Sequence, residues 1–421
     1  MKAGIDKDKL MLALEPEAAA LYCRYLPGEE AKDIRNDFHG GRYMVVDMGG
    51  GTVDIAVHEV SGDEKNLTEI LPASGGAWGG DNVNQGFINF FGKKIGGEVI
   101  SDRIKEERTS HWLKLERNFE ATKRFSFRDI KRDMRLDIPP VIITEGNLNI
   151  DLKESFKMVI PNEDVISFFD SAKHTISHMT RIIEKIPDIE LILLVGGYVQ
   201  SEHVSNLIRS EFRLKKVLVP TKAELAVLEG AVLYGFEPLT VSAGMCRHTY
   251  GIDCYATFEE GVHREEYRKD IDGEDSCMNI FSKVATEGDI LQVEEKRVEA
   301  FYSTHKDENR RNVRVNFPFY ASTDKSCQYT TDISCERIGN IAVEPPADGW
   351  PEEVHYRVEM YFGRTELEVK VFNDADETEE HTGKFDFLIE KEIPDVLPVS
   401  LVPPAQAQDR TKETKNNCTL C

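Results

Sequence analysis

The residues best suited to chemistry lie in one short stretch, Tyr43 to Val57. A β-forming run ends at Asp47-Met48, Gly49, Gly50, Gly51 and Thr52 follow, and a second β-forming run begins at Val53-Asp54. Three glycines between two strands predict a tight hairpin whose tip carries no side chains, so backbone N–H groups can approach a ligand closely. Asp47 and Asp54 bracket the turn. Bare amides beside carboxylates suit a phosphate together with a divalent metal. A plain glycine-rich hairpin is the competing reading, and this stretch alone leaves the two level.

Two further glycine turns follow. Gly79-Gly80-Asp81 precedes Val83, Phe87, Phe90 and Phe91, which recur on one face of a helix. Asp81 is the expected N-cap, and the helix start is a second candidate anion site, with an ordinary capped loop as its alternative. Leu191 to Val195 is a continuous apolar run, as expected of a strand covered on both faces. It turns at Gly196-Gly197-Tyr198 into a helix with Val204, Leu207, Ile208 and Phe212 on its inner face. Between these turns, the charged helical region 101–135 contains Glu120, Lys123 and Arg124. Glu120 and Lys123 stand three residues apart, a spacing that a solvated ion pair also explains.

The elements that must hold these groups read as follows. Lys9–Leu14 is expected to be a short strand, and Glu15-Pro16 opens a helix with proline in its first turn. Residues 26–42 read as a loop, and Val141–Leu152 as an edge hairpin. Residues 163–186 are expected to form the longest helix, with a stripe of Val165, Phe168, Phe169, Ala172, Ile176, Met179, Ile183 and Ile186. His174 and His178 have the spacing of a zinc pair, but they lie off that stripe without a third ligand and read as surface residues. Val217–Pro220 is a short strand. The helix at 222–235 is rich in small residues, and Gly230 and Ala231 would permit close packing. From about residue 239 the pattern becomes twofold: Val313, Val315, Phe317 and Phe319, then Val354, Tyr356, Val358 and Met360, then Leu367, Val369 and Val371 after a turn at Gly363-Arg364-Thr365. This predicts a separate antiparallel β domain with one wet face. The proline-bearing tail from Ile393 reads as disordered.

The 421 residues suffice for two or three domains, and 40% hydrophobic with 30% charged residues describe a soluble globular chain. A net charge of −23 argues against a nucleic-acid partner. The eight cysteines are scattered and no signal peptide opens the chain, so free thiols in the cytoplasm are expected, and the sequons at Asn66 and Asn417 are expected to stay unused. No apolar run approaches membrane-spanning length, and no membrane partner is expected. The ending Cys418-Thr-Leu-Cys421 has the outline of a prenylation box with an unusual last residue, and reads as a frayed tail.

The order and spacing of the three glycine turns resemble the actin-like ATPase superfamily, and within it the seventy-kilodalton heat-shock chaperones. Asp47-Met-Gly-Gly-Gly-Thr52-Val-Asp54 resembles their second phosphate loop. Glu15-Pro16-Glu-Ala-Ala-Ala resembles their junction near the metal, Gly79-Gly80-Asp81 their Gly-Gly-acidic turn, and Gly196-Gly197 their adenosine loop. Glu120-x-x-Lys123-Arg124 resembles the helix whose side chains hold the nucleoside. The wording around Leu194-Val-Gly-Gly-Tyr198-Val-Gln-Ser is similar to the atypical heat shock 70 kDa protein 12A/12B branch.

The resemblance implies an α/β actin-like (ribonuclease H-like) fold, incomplete at the N-terminus, followed by an antiparallel β-sandwich-like domain. The implied division is a remnant of lobe I at 1–40, lobe II at 41–238, a substrate-binding-like β domain at 239–390 and a tail at 391–421. It implies binding of ATP or ADP with Mg2+, coupled to binding of polypeptide clients or signalling proteins, with co-chaperones as further partners and a role in the stress response. Asp47 and Glu15 would hold the metal through water, and Gly49, Gly50, Gly51 and Thr52 would contact phosphate, with Gly80 close by. Glu120, Lys123 and Arg124 would hold the nucleoside, and Gly196 and Gly197 would close over it. Tyr198 stands where the family has a serine and could stack on the base. The family's first phosphate loop and its catalytic lysine have no counterpart in the chain, so ATP turnover is left open. A fragment of a longer protein is the expected explanation, because the opening strand would otherwise lack sheet partners. A short form without ATPase activity is the alternative. A nucleotide-independent scaffold is the second functional reading. A sugar kinase is disfavoured, since the β domain would have no role there.

Overall fold

The computed structural model describes residues 11–26, 41–60, 67–126, 132–146, 148, 156–236, 241–271, 273–293, 295–306, 308–362, 366–374 and 376–386. The chain divides into two compact units: Met1–Asn66 with Ala73–Thr240, and Leu67–Pro72 with Val241–Cys421.

In the first unit, α1 (Glu15–Arg24) begins where expected, with Pro16 in its first turn and Glu15 and Glu17 at the positive end of the helix dipole. Met11–Leu14 form no strand. No described strand pairs with them, and a strand needs a paired neighbour to satisfy its backbone. Lys9 and Leu10 lie outside the described residues, as does most of the loop expected at 26–42. Strands β1 (Arg42–Met48) and β2 (Val53–Val60) form the expected antiparallel hairpin, closed by the pair Met48 and Val53. The last residues of β3 (Leu67–Gly76) run against β2, where a Cβ on Gly75 would collide with the Val53 carbonyl.

Helices α2 (Asp81–Lys94), α3 (Glu98–Glu107) and α4 (Thr109–Ser126) follow. Strand β4 (Met134–Asp137), helix α5 (Pro140–Glu145) and strand β5 (Lys157–Ile160) come next. The edge hairpin expected at Val141–Leu152 is therefore partly helix. Pro140 occupies the first turn of α5, where its fixed φ favours a helix, and the antiparallel pair forms between β4 and β5 instead. Residues 149–152 lie outside the described residues.

The single long helix expected at 163–186 is two: α6 (Asn162–Ser167) and α7 (Ala172–Lys185). The longest described helix is α4, with 18 residues. The break lets two adjacent aromatics be buried in different directions. Phe168 meets Phe87, Phe90 and Phe119, while Phe169 meets Tyr198 and His203. A continuous helix would hold neighbours about 100° apart on its surface.

Strand β6 (Ile189–Val195) lies parallel to β1, with β7 (Lys216–Leu218) parallel on its other side. Helices α8 (Glu202–Glu211) and α9 (Ala226–Phe236) complete the unit. α9 packs on α1 so closely that Gly230 faces the Ala18 carbonyl, as its small-residue sequence predicts.

The second unit contains β8 (Val241–Met245), β9 (Thr249–Thr257), β10 (Arg268–Ile271), β11 (Glu274–Ala285), β12 (Ile290–Gln292), β13 (Lys296–Thr304), β14 (Val315–Ser322), β15 (Cys335–Val343), β16 (Glu353–Tyr361), β17 (Glu366–Asn373) and β18 (Asp376–Asp386). One antiparallel sheet has the order β10-β11-β9-β14-β15 and a second the order β13-β16-β17-β18. Tyr250, Ile252, Phe317 and Phe319 from the first share one core cluster with Tyr356, Val358, Val369 and Val371 from the second. Burying each such side chain stabilises the unit by roughly 1.5–3 kcal/mol. On β16, His355 is exposed between the buried Val354 and Tyr356, which is the predicted alternation. The turn at Gly363–Thr365 lies outside the described residues.

Cys23, Cys246, Cys254, Cys277, Cys327 and Cys335 are free thiols. Cys418 and Cys421, Asn66 and Asn417, and the tail from Ile393 lie outside the described residues. No described helix is long and apolar enough to cross a membrane.

Candidate functional site

The three glycine turns come together in the first unit because β1 and β6 are parallel neighbours. Asp47 stands opposite Val195, so the hairpin tip and the Gly196-Gly197 turn leave the sheet at the same end. Gly196 has φ +89°, and a Cβ there would come within 2.5 Å of the Asp47 Oδ1 and 2.4 Å of the Met48 carbonyl oxygen. Only glycine fits this position, for both reasons. The Gly196 N–H is held by the Ala223 carbonyl at 2.9 Å. At Gly197 a Cβ would meet nothing within 4 Å.

The Gly79-Gly80-Asp81 turn docks on the hairpin through its backbone. Gly79 donates to Gly51 O at 3.3 Å, Gly80 to Gly49 O at 3.1 Å and Asp81 to Gly50 O at 2.8 Å. A Cβ on Gly79 would lie 2.4 Å from the Gly50 carbonyl oxygen, so this approach also requires glycine. These amides, a candidate anion site with a capped loop as the alternative, are therefore already engaged by the hairpin. The residue at the N-cap of α2 is Gly80, and Asp81 is the first helical residue with no capping bond from its side chain. The hairpin takes the Asp81 N–H that a cap arrangement would leave free.

The hairpin tip is the reverse. Gly49 donates to Thr52 O at 2.9 Å and closes the turn. Among the described residues, the N–H groups of Gly50, Gly51 and Thr52 make no hydrogen bond. Thr52 Oγ1 donates to Asp54 Oδ2 at 3.1 Å. Asp47 is 6% exposed. Burial, then repulsion from Glu15 and from Asp54, pushes its carboxyl up to about 7. All three causes raise it, so no described positive charge offsets the burial of Asp47. A divalent cation near Asp47 and the exposed Glu15 would supply it. No described group of three or more His, Cys, Asp or Glu side chains is arranged to hold a metal directly.

Helix α4 supplies the next residues. Lys123 Nζ donates to Gly80 O at 3.4 Å and to Asn84 Oδ1 at 2.9 Å, and pairs with Glu120 at 2.7 Å. The pair expected at 120 and 123 exists, and its lysine is tied to the second glycine turn. Arg124 follows on α4, but its side chain lies outside the described residues. Tyr198 turns inward. Its ring is 7% exposed, packs near-parallel to Phe169 at 6.4 Å and lies against Gly80, and burial pushes its hydroxyl up to about 12.

Asn84 was not read as a site residue. Its signal was its place one helical turn beyond Gly80, which puts its amide within reach of α4. His178 was read as a surface residue and is 3% exposed. The buried stripe of α7 runs through Ala172, Thr175, His178, Met179 and Ile182, and Ser74 Oγ meets His178 Nε2 at 2.9 Å.

The chain is similar to several known proteins over much of its length. Heat shock 70 kDa protein 12B of Homo sapiens is 27% identical over 86% of the chain and 63% of its own length. Heat shock 70 kDa protein 12A of Mus musculus is 24% identical over 86% of the chain and 63% of its own length. Chaperone protein DnaK of Thermosipho melanesiensis is 28% identical over 55% of the chain and 37% of its own length. The chain thus spans just under two thirds of the length of the 12A and 12B proteins. A family model described as Hsp70 protein matches residues 15–236, from the first residue of α1 to the last of α9 and through all three glycine turns. With more than half of its 421 residues matched, this chain belongs to the Hsp70 family.

Proposed function

We propose that the chain binds ATP or ADP with Mg2+ at the three glycine turns and couples this to binding of polypeptide by its β-sandwich unit. The observation that carries the reading is the hairpin tip, where, among the described residues, three consecutive amides have no partner and the buried carboxylate beside them has no counter-charge. Gly50, Gly51 and Thr52 would donate to phosphate oxygens. Asp47 and Glu15 would hold the magnesium through water, and the ion would neutralise charge shared between carboxylate and phosphate. The Glu120–Lys123 pair and Arg124 would hold the nucleoside, with Gly197 at the open edge of the site. Tyr198 would support the Gly80 turn from inside. The β-sandwich is the part that would take polypeptide clients, and the DnaK relatives are chaperones by name.

A thermal-shift titration with Mg-ATP and Mg-ADP tests this. Ligand at 100 times its dissociation constant stabilises by about 2.7 kcal/mol. Glu120→Ala and Gly197→Trp should each remove the response, and a response that persists in both would misplace the site. No shift at millimolar nucleotide leaves the second reading, a nucleotide-independent scaffold. The engaged amides of Gly79, Gly80 and Asp81 favour that reading, since one of the two candidate anion sites has none to offer.

A further inference from the structure

A second, polar groove lies in the same unit and shares no side chain with the glycine-turn site. It has a volume of about 380 Å³ and runs between α2 and the α6–α7 break. Two polar ridges face each other across it. Asn82, Gln85 and Asn89 line one side at helical spacing, and Ser167, Asp170 and His174 line the other. Trp78 stands among them, partly exposed, its indole roughly parallel to the His174 ring at 6.1 Å. Phe168 contributes to the lining, packed against Gly86.

The amides are held in fixed orientations. Gln85 Nε2 donates to Asn89 Oδ1 at 2.8 Å, which leaves Gln85 Oε1 as an acceptor and the Asn89 NH2 as a donor. Asn82 Nδ2 donates to Ala77 O at 2.7 Å, leaving Asn82 Oδ1 as an acceptor. Among the described residues no Lys or Arg lines the groove, and the Asp170 carboxylate in the lining disfavours an anion such as phosphate. Lys173 stands at the rim with its ammonium on Asp170 at 2.5 Å, an exposed pair that a ligand hydroxyl can displace. The lining is too polar for an apolar ligand. Alternating amide donors and acceptors, a carboxylate, hydroxyls and an indole match a neutral ligand with many hydroxyls and an apolar ring face.

We propose that this groove binds a saccharide of one or two rings, with Trp78 against the C–H face of a sugar and Asn82, Gln85, Asn89 and Asp170 on its hydroxyls. The proposal is independent of the nucleotide reading.

Trp78 is also the reporter for its test. The chain has three tryptophans, and the other two, Trp112 and Trp350, are 1% and 3% exposed. The full chain is titrated with the methyl glycosides of glucose, galactose, mannose and N-acetylglucosamine to high millimolar concentration, and tryptophan emission is followed. A saturable change is expected with at least one glycoside, absent in Trp78→Phe and weakened about tenfold in Asp170→Ala and in Asn89→Ala, both exposed positions where folding is not at stake. The change should persist with Mg-ADP in excess. No saturable change with any of the four, a change that survives Trp78→Phe, or one that adenosine alone reproduces and the glycosides do not, would overturn the proposal.

Discussion

At the tip of the β1–β2 hairpin, the N–H groups of Gly50, Gly51 and Thr52 meet no acceptor among the described residues. At the Gly79-Gly80-Asp81 turn the same kind of sequence gives all three N–H groups to the hairpin's carbonyls. Both stretches are glycine-rich, both have an aspartate within a few residues, and both precede a regular element. The difference is which turn lies underneath. The second turn anchors the first, fixing its carbonyls towards α2 and leaving its amides for a ligand. Glycine content therefore announces that backbone will be bare, not whether it will be available.

Four measurements test this contrast. The largest effect is expected at Gly79→Ala, where the new Cβ meets the Gly50 carbonyl at 2.4 Å. Thermal or urea unfolding should show a loss of about 3 kcal/mol. Gly51→Ala, with nothing within 4 Å of its Cβ, should cost under about 1 kcal/mol. Equal losses would mean that the two turns are not anchor and anchored.

The next effect is on ligand response. Gly51→Ala should largely remove the stabilisation of about 2.7 kcal/mol expected with Mg-ADP at 100 times its dissociation constant, since a methyl group at the tip obstructs phosphate. An undiminished response there would show that the free amides are not what binds.

Asp47 gives a pH test. Its folded carboxyl is pushed up to about 7 from an ordinary 3.8, so between those values the folded chain holds a proton that the unfolded chain has released. This contribution is fully present below pH 3.8 and is lost as pH rises through about 7. Asp47→Asn should therefore gain on the wild type by about 2 kcal/mol between pH 5 and 7, read from unfolding curves at each pH. Mg-ADP should flatten the wild-type slope. A constant difference between the two proteins would remove Asp47 from the charged site.

The smallest change is expected at Asp81→Ala. Its side chain caps nothing, so stability should move by under about 0.5 kcal/mol, whereas loss of a true N-cap costs about 1 kcal/mol.

Much of this was legible in the sequence. The β1–β2 hairpin was clear because alternation and three glycines fix a local structure. β6 was clear because an unbroken apolar run needs cover on both faces. The Glu120–Lys123 pair was clear because i, i+3 neighbours meet on any helix. The β-sandwich followed from period-two patterning. What escaped depended on partners distant in the chain. The α6–α7 break, the burial of His178 on Ser74 and the inward turn of Tyr198 onto Phe169 all follow from what α2, β3 and α8 bring alongside.

The sequence by itself determined that three glycine turns would sit at the ends of strands and that Asp47 would stand next to one of them, because backbone freedom and strand periodicity are local properties. Only the tertiary structure decided which turn keeps its amides. That choice depends on the parallel pairing of β1 with β6 and on the docking of the α2 N-terminus, and a backbone N–H is available to a ligand only when no carbonyl has already reached it.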